Sequence, residues 1–211
     1  MKIKGVIFDF DGTLFDSMPI WYNAGKEYLK MKGISRDDDV YKKIKTLSLK
    51  ESAEYFCRHY GVSDGIESIM KEINSLVEEY YFNNILPKAY VSEFLTKLKK
   101  DNVKMCIATA TDKYLVEAAL KRCGLEQFFL KIFTCSEVGS GKEQPFIYNK
   151  ALDFLALDKA DVMVFEDAFH AARTAKNAGY KVCGVFDETE NEADGLKSIS
   201  DKYIKTFSEL L

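Results

Sequence analysis

The ten residues Gly5-Val6-Ile7-Phe8-Asp9-Phe10-Asp11-Gly12-Thr13-Leu14 constrain the chain more than any other stretch. A short apolar run bounded by a turn signal suits a buried strand, so Gly5 to Asp9 is read as a strand with an acid at its end. Asp9 and Asp11 stand two apart, which on a regular strand puts both on one face. Asp11-Gly12 is also a strong turn signal. The strand is therefore expected to stop at Asp9, with the chain curling so that both carboxylates and several backbone N–H groups surround one small volume. Open α/β sheets place their ligands at the carboxyl ends of such strands.

Other uses of this pattern fail or remain weaker. Asp-Gly alone is most often a surface turn. A calcium loop needs Gly at its sixth position and Glu at its twelfth; counted from Asp9, Gly12 is fourth and the twelfth residue is Ile20. A hairpin needs a matching second strand, and Phe15-Asp16-Ser17-Met18-Pro19 is a poor one.

Beyond this stretch the chain divides into two styles. From Pro19 to Asn83 the pattern is helical throughout, with helices expected over 19–32, 36–45, 48–60 and 65–83. Ser48 and Glu51 fit a capping box, and Gly33 and Gly61 fit helix stops. From Pro87 onward strands and helices alternate: helix near 91–98, strand 103–109, helix 112–123, strand 129–134, helix 145–156, strand 162–165, helix 168–178, strand 181–186. That alternation implies an α/β fold with a parallel sheet and right-handed crossovers. Residues 1–16 and 87–211 are read as a core, and 17–86 as an inserted α-helical cap over the carboxyl end of the first strand, where it can act as a lid.

Composition removes several classes. A net charge of −3, from 30 basic and 33 acidic residues, argues against a nucleic-acid-binding surface. No run of eighteen apolar residues exists, so no membrane span is expected. The chain enters a strand within three residues of Met1, which leaves no room for a signal peptide, and a cytoplasmic location is expected. Five scattered cysteines without a C-x-x-C pair suit reduced core thiols. Two histidines make a histidine-rich metal site a poor expectation.

Three more polar features fall just past strand ends, on the same sheet edge as Asp9. Thr109-Ala110-Thr111 offers a hydroxyl and N–H groups at a helix start, an arrangement that binds phosphate, although Thr111 or Asp112 can simply cap that helix. Lys142 sits in the loop Glu137-Val138-Gly139-Ser140-Gly141, where a lone Lys is usually solvated. Glu166-Asp167 closes an apolar strand, and Asp167 alone could be a helix cap. Taken together they change meaning. Carboxylates of this kind suit Mg²⁺, which also takes a substrate phosphate oxygen. Mg²⁺ and Lys142 would offset the repulsion between clustered acids and a phosphate dianion. Asp9 could then attack phosphorus in line and form an aspartyl-phosphate, with Asp11 as general acid and then general base.

In this ordered set the chain resembles the haloacid dehalogenase superfamily of phosphohydrolases, in the β-phosphoglucomutase-like branch with a helical cap after the first strand. The motifs are Asp9-Phe10-Asp11-Gly12-Thr13, Thr109, Lys142 and Glu166-Asp167, and the likeness spans essentially all 211 residues. It implies a Rossmann-like core with Asp9 as nucleophile, Asp11 as acid/base, and Gly12, Thr109, Ala110 and Lys142 around the phosphoryl group. Mg²⁺ would be held by Asp9, the Asp11 carbonyl and Asp167, with Glu166 as a ligand or supporting partner. Mutases of the branch carry a His ten residues after the second motif Asp, and that position is Trp21. They also carry a cap Arg in the stretch matching Thr46-Leu47-Ser48-Leu49-Lys50, where only Lys50 or the nearby Lys45 offers a cation. Dehalogenases of the superfamily lack the Asp11 equivalent, and no cap lysine is marked for phosphonatase chemistry. The expected activity is Mg²⁺-dependent hydrolysis of a small phosphorylated metabolite, a sugar phosphate or nucleotide, by a monomer or small homo-oligomer. Trp21, Lys45 and Lys50 are the candidate substrate-selecting residues. The alternatives are a sugar-phosphate mutase and a non-catalytic phosphate-binding protein.

Overall fold

In chain order the elements are β1 (Gly5–Phe8), α1 (Met18–Met31), α2 (Val40–Ile44), α3 (Leu49–Tyr60), α4 (Ile66–Asn83), α5 (Val91–Lys100), β2 (Lys104–Thr109), α6 (Lys113–Arg122), β3 (Ile132–Thr134), α7 (Cys135–Val138), α8 (Phe146–Leu155), β4 (Val162–Glu166), α9 (Phe169–Asn177), β5 (Lys181–Val185), α10 (Ala193–Ile199) and β6 (Lys202–Ile204). The structure, a computed structural model, describes residues 3–34, 40–45 and 47–211. The expected helix over 36–45 therefore lies partly outside the described residues.

Among the described residues six strands pair in the order β3-β2-β1-β4-β5-β6, and every pairing is parallel. A parallel sheet needs both faces covered, and the strands alternate accordingly. Val6 and Phe8 face one apolar cluster with Val91, Phe94 and Leu95 of α5 and Leu115, Val116 and Ala119 of α6. Ile7 faces the other with Ile147, Tyr148 and Ala151 of α8 and Ala172 and Ala175 of α9. The small residues of α9 let that helix lie close to the sheet. Strand order reverses between β1 and β4, and open α/β sheets form their ligand crevice at such a switch point.

Helices α1, α3 and α4 follow from local signals. Pro19 lies in the first turn of α1, where a missing N–H costs nothing. Ser48 and Glu51 form both bonds of the capping box, and Gly61 closes α3 in the left-handed conformation. These helices share a third apolar cluster that includes Tyr28, Leu29, Val40, Ala53, Phe56, Ile69 and Ile73. The chain leaves and re-enters the sheet region along one short ribbon. Asp16 N–H donates to Leu86 O at 3.0 Å, and Lys88 N–H donates to Leu14 O at 2.9 Å.

Helix α10 and strand β6 go beyond the elements that the sequence pattern predicts. Only Leu196 of α10 is buried, so no apolar periodicity marks it. Strand β6 has three residues, one of them buried, and forms because the free edge of β5 is there to pair with.

Candidate active site

The functional side chains meet at the β1/β4 switch point. The Asp9 N–H donates to Phe165 O at 2.9 Å, which continues the ladder one residue past β1 and fixes where the Asp9 carboxylate emerges. Glu166 ends β4 and Asp167 follows it. A carboxylate oxygen from each of Asp9, Glu166 and Asp167 falls within 4.8 Å of the others, and all three residues are buried. Gly12 has φ +78°, and a Cβ there would overlap the Asp167 carboxylate. The turn after Asp11 thus needs glycine for both conformation and space.

Lys142 reaches this acid cluster from the loop before α8. Its Nζ donates to Asp9 Oδ1 and to Glu166 Oε1, and Tyr148 OH adds a bond to the same Glu166 oxygen at 2.8 Å. Thr13 Oγ1 donates to Asp167 Oδ1 at 2.7 Å. Asp167 is not a helix cap: Ala168 occupies the cap position of α9, and the Asp167 carboxylate turns to Thr13. Asp112 occupies the cap position of α6 without a side-chain cap bond. It accepts instead from Asn74 Nδ2 of α4 at 2.6 Å and from Ser136 Oγ at 3.1 Å.

Three buried carboxylates face one buried ammonium. Burial drives Asp9 up to about 8; Lys142 opposes the rise, and Glu166 and Asp11 add to it. Asp167 is also held well above the usual carboxylate range, first by burial and then by Asp9 and Glu166. Burial works against the charge on Lys142, but Asp9 and Glu166 outweigh it and keep the ammonium protonated. The cluster is short of positive charge. Oxygen donors at this spacing with an excess of negative charge fit a hard divalent cation such as Mg²⁺.

The other predicted residues divide. Thr109 is fully buried at the end of β2, where its Oγ1 accepts from the Thr111 N–H at 3.0 Å. Ala110 lines the cavity beside it. The Gly12 N–H is spent on Phe15 O at 2.9 Å, so in this structure Gly12 shapes the turn and offers no free donor to a phosphate. Trp21 lines the cavity, and its indole N–H donates to Tyr81 OH at 2.6 Å. Lys45 also lines it, but its ammonium lies 3.5 Å from Glu190 and 3.7 Å from Glu192. Lys50 is exposed on α3 and does not line the cavity.

Sequence reasoning misses the residues around Asp11. Ser17 Oγ donates to Asp11 Oδ1 and Thr111 Oγ1 to Oδ2, each at 2.6 Å, and Tyr81 OH donates to Oδ1. Thr111 reads in the sequence only as a phosphate donor or a helix cap. Nothing in the sequence singles out Tyr81 among twelve tyrosines.

The cavity has a volume of about 170 Å³. Asp9, Lys142 and Asp167 lie on its sheet side, and Trp21, Ile44, Leu47, Leu49, Phe56 and Ile73 on its helical side. His170 also lines it; burial, then Lys142 and Lys45, push its imidazole down to about 4 from the ordinary 6.5. Between pH 6.5 and 4 the unfolded chain therefore binds a proton that the folded chain refuses, and stability falls as pH falls through that window. His170→Asn should lose about 1–2 kcal/mol less than the parent between pH 7 and 4.5, after allowance for partial solvent screening. Urea denaturation at the two pH values measures the difference, and identical losses would exclude the neutral imidazole as its source.

A family model described as "Haloacid dehalogenase-like hydrolase" matches residues 6–185. The "Phosphorylated carbohydrates phosphatase" of Thermotoga maritima is 27% identical over 177 residues, covering 84% of this chain and 82% of that protein. The "Beta-phosphoglucomutase" of Bacillus subtilis is 26% identical over 192 residues, covering 87% and 83%. Among solved structures, CbbY from Rhodobacter sphaeroides in complex with phosphate superposes with a TM-score of 0.83 at 23% identity, covering 99% of this chain and 96% of that one. That last likeness shows the shared α/β fold.

Proposed function

The chain belongs to the haloacid dehalogenase-like hydrolases, and from that premise we propose that it is a Mg²⁺-dependent phosphatase of small phosphorylated metabolites, working through an aspartyl-phosphate on Asp9. One observation supports the reading: Asp9, Asp11, Lys142 and Asp167 come from three separate segments and line one cavity at the sheet's switch point.

The chain's own groups carry the bond making and proton transfers of a two-step route. An Asp9 oxygen bonds to phosphorus as the ester P–O bond breaks, and the leaving oxygen takes a proton from the Asp11 carboxyl. Asp11, now a carboxylate, takes a proton from water as the water oxygen bonds to phosphorus. The Asp9–phosphorus bond breaks, releasing phosphate and restoring both acids. Lys142 holds Asp9 in place and sets positive charge beside the transferring group. Thr109 and the Ala110 N–H would bind its oxygens. Asp9, Asp167 and the Asp11 carbonyl would hold Mg²⁺, with Glu166 supporting through Lys142. When bound, the cation supplies charge that favours ionised Asp9 and offsets the phosphoryl oxygens.

Residues 17–86 are proposed as a cap that selects the rest of the substrate. Its contribution to the cavity is mostly apolar, and Lys45 is already engaged by two carboxylates. Trp21 stands where a mutase of this branch has His and is bonded away to Tyr81. Both features favour hydrolysis of a monophosphate over a mutase that must hold a bisphosphate. The test is phosphate release from sugar phosphates, nucleotides and small organic phosphates, with Mg²⁺ and with chelator, and product analysis by NMR for β-glucose 1-phosphate. Release that needs Mg²⁺ is expected. Isomerised glucose 6-phosphate with little free phosphate would replace this reading with the mutase.

A further inference from the structure

The acid/base role of Asp11 requires that one of its oxygens be free to carry a proton to the leaving group and back from water. We propose that Tyr81, oriented by Trp21, is the positioning residue of Asp11, and that it makes Oδ2 the proton-carrying oxygen, a role that rests on the phosphatase reading.

Hydrogen-bond direction decides which oxygen is free. An indole N–H donates and never accepts, so the bond from Trp21 Nε1 at 2.6 Å makes the Tyr81 oxygen an acceptor. Tyr81 has one proton left to give, and it points to Asp11 Oδ1. Ser17 Oγ gives a second donor to the same Oδ1 at 2.6 Å. Two donors fill the lone pairs of Oδ1. Among the described residues Oδ2 holds only Thr111 Oγ1, a hydroxyl that can turn to accept. The transferred proton therefore belongs on Oδ2.

The same network ties Asp11 to the inserted helices. Trp21 is on α1, Tyr81 on the last turns of α4, and Ser17 at the start of the insert. Asp11 itself is on the sheet side. A shift of α4 relative to β1 would break the Oδ1 bond and release the carboxyl from its set orientation. Tyr81 also has a packing role: its ring lies 6.2 Å from that of Phe10 at 21°, and Phe10 stacks on Phe15 at 4.4 Å. Tyr81→Phe keeps those ring contacts and deletes only the hydroxyl, which separates positioning from packing.

The decisive measurement is kcat/KM for two esters that differ in their need for a proton. The p-nitrophenolate of p-nitrophenyl phosphate leaves without one, whereas the alkoxide of hexyl phosphate does not. In Tyr81→Phe, loss of general-acid positioning should lower kcat/KM for hexyl phosphate by about 30-fold or more, and for p-nitrophenyl phosphate by less than about 3-fold. The same factor on both esters, or no loss on either, would overturn the proposal. Trp21 is the chain's one tryptophan, so its indole N–H gives one NMR resonance. That resonance should move in Tyr81→Phe and also in Asp11→Ala, because Asp11 orients the Tyr81 proton; an unmoved resonance in Asp11→Ala counts against the chain of bonds. Wild-type protein that releases no phosphate from either ester, with Mg²⁺ present, would instead fault the phosphatase reading, and the resonance alone would then decide whether Tyr81 links Trp21 to Asp11.

Discussion

Asp9→Asn should abolish turnover, lowering kcat by about four orders of magnitude or more, and leave the fold standing. The carboxamide has nearly the shape of the carboxylate but does not attack phosphorus to form a stable acyl-phosphate. The fold survives because Asp9 holds up no packed layer; its backbone N–H, not its side chain, continues the ladder to Phe165 O. Stability without divalent cation should even rise, because one of three crowded carboxylates is gone while Lys142 keeps Glu166. The check has two parts: phosphate release under saturating substrate, and thermal melts in chelator. Undiminished release would remove Asp9 as nucleophile. A collapse of the melt would mean that the carboxylate holds the structure rather than the reaction.

Lys142→Met has the larger structural effect. It strands Asp9, Glu166 and Asp167 in a buried site with no ammonium among them, and removing one partner of a buried ion pair costs about 3–5 kcal/mol. Turnover should fall by about 10²–10³-fold, the scale set by losing one preorganised charge at a site of developing negative charge. The stability loss has a pH sign. Asp9 is pushed up to about 8 even with Lys142 in place, so the acids of the variant protonate readily and the loss shrinks as pH falls toward 5. Mg²⁺ should restore more stability to the variant than to the parent at pH 8. Urea denaturation at pH 5 and pH 8, with and without Mg²⁺, measures all three. A variant as stable as the parent at pH 8 in chelator would mean that the acids were never ionised together.

Local signals in the sequence are strong where backbone geometry depends on them. The strand at Gly5–Phe8, the Ser48–Glu51 capping box and the left-handed Gly61 all follow from residues within a few positions of each other. The alternation after Pro87, with the strand before it, accounts for five of the six strands. Strand β6 escapes because its three residues carry no pattern, and edge pairing alone organises them. The site divides in the same way. Asp9, Asp11 and Asp167 are legible as polar residues at or just past strand ends, since a parallel sheet brings strand ends to one edge, and Lys142 follows in the loop between α7 and α8. Tyr81 is not, because its bond to Asp11 spans 70 positions and depends on how α4 docks. Lys45 and Lys50 look equivalent in sequence. The packing of α2 and α3 separates them, turning Lys45 toward Glu190 and leaving Lys50 in solvent.

The short ribbon at Leu14–Asp16 and Leu86–Lys88 has a consequence for how chains of this kind diversify. Its two backbone bonds hold the exit and the return of the chain one strand spacing apart, so the sheet meets only a narrow doorway. Closing a loop costs little more as it lengthens, about 0.6 kcal/mol per doubling, and here the doorway is closed by its own pairing. A segment whose ends meet at that spacing matches the backbone geometry of this doorway. A segment exchanged for 17–86 would also have to bring its own partners for Asp11, because Ser17 and Tyr81 leave with it.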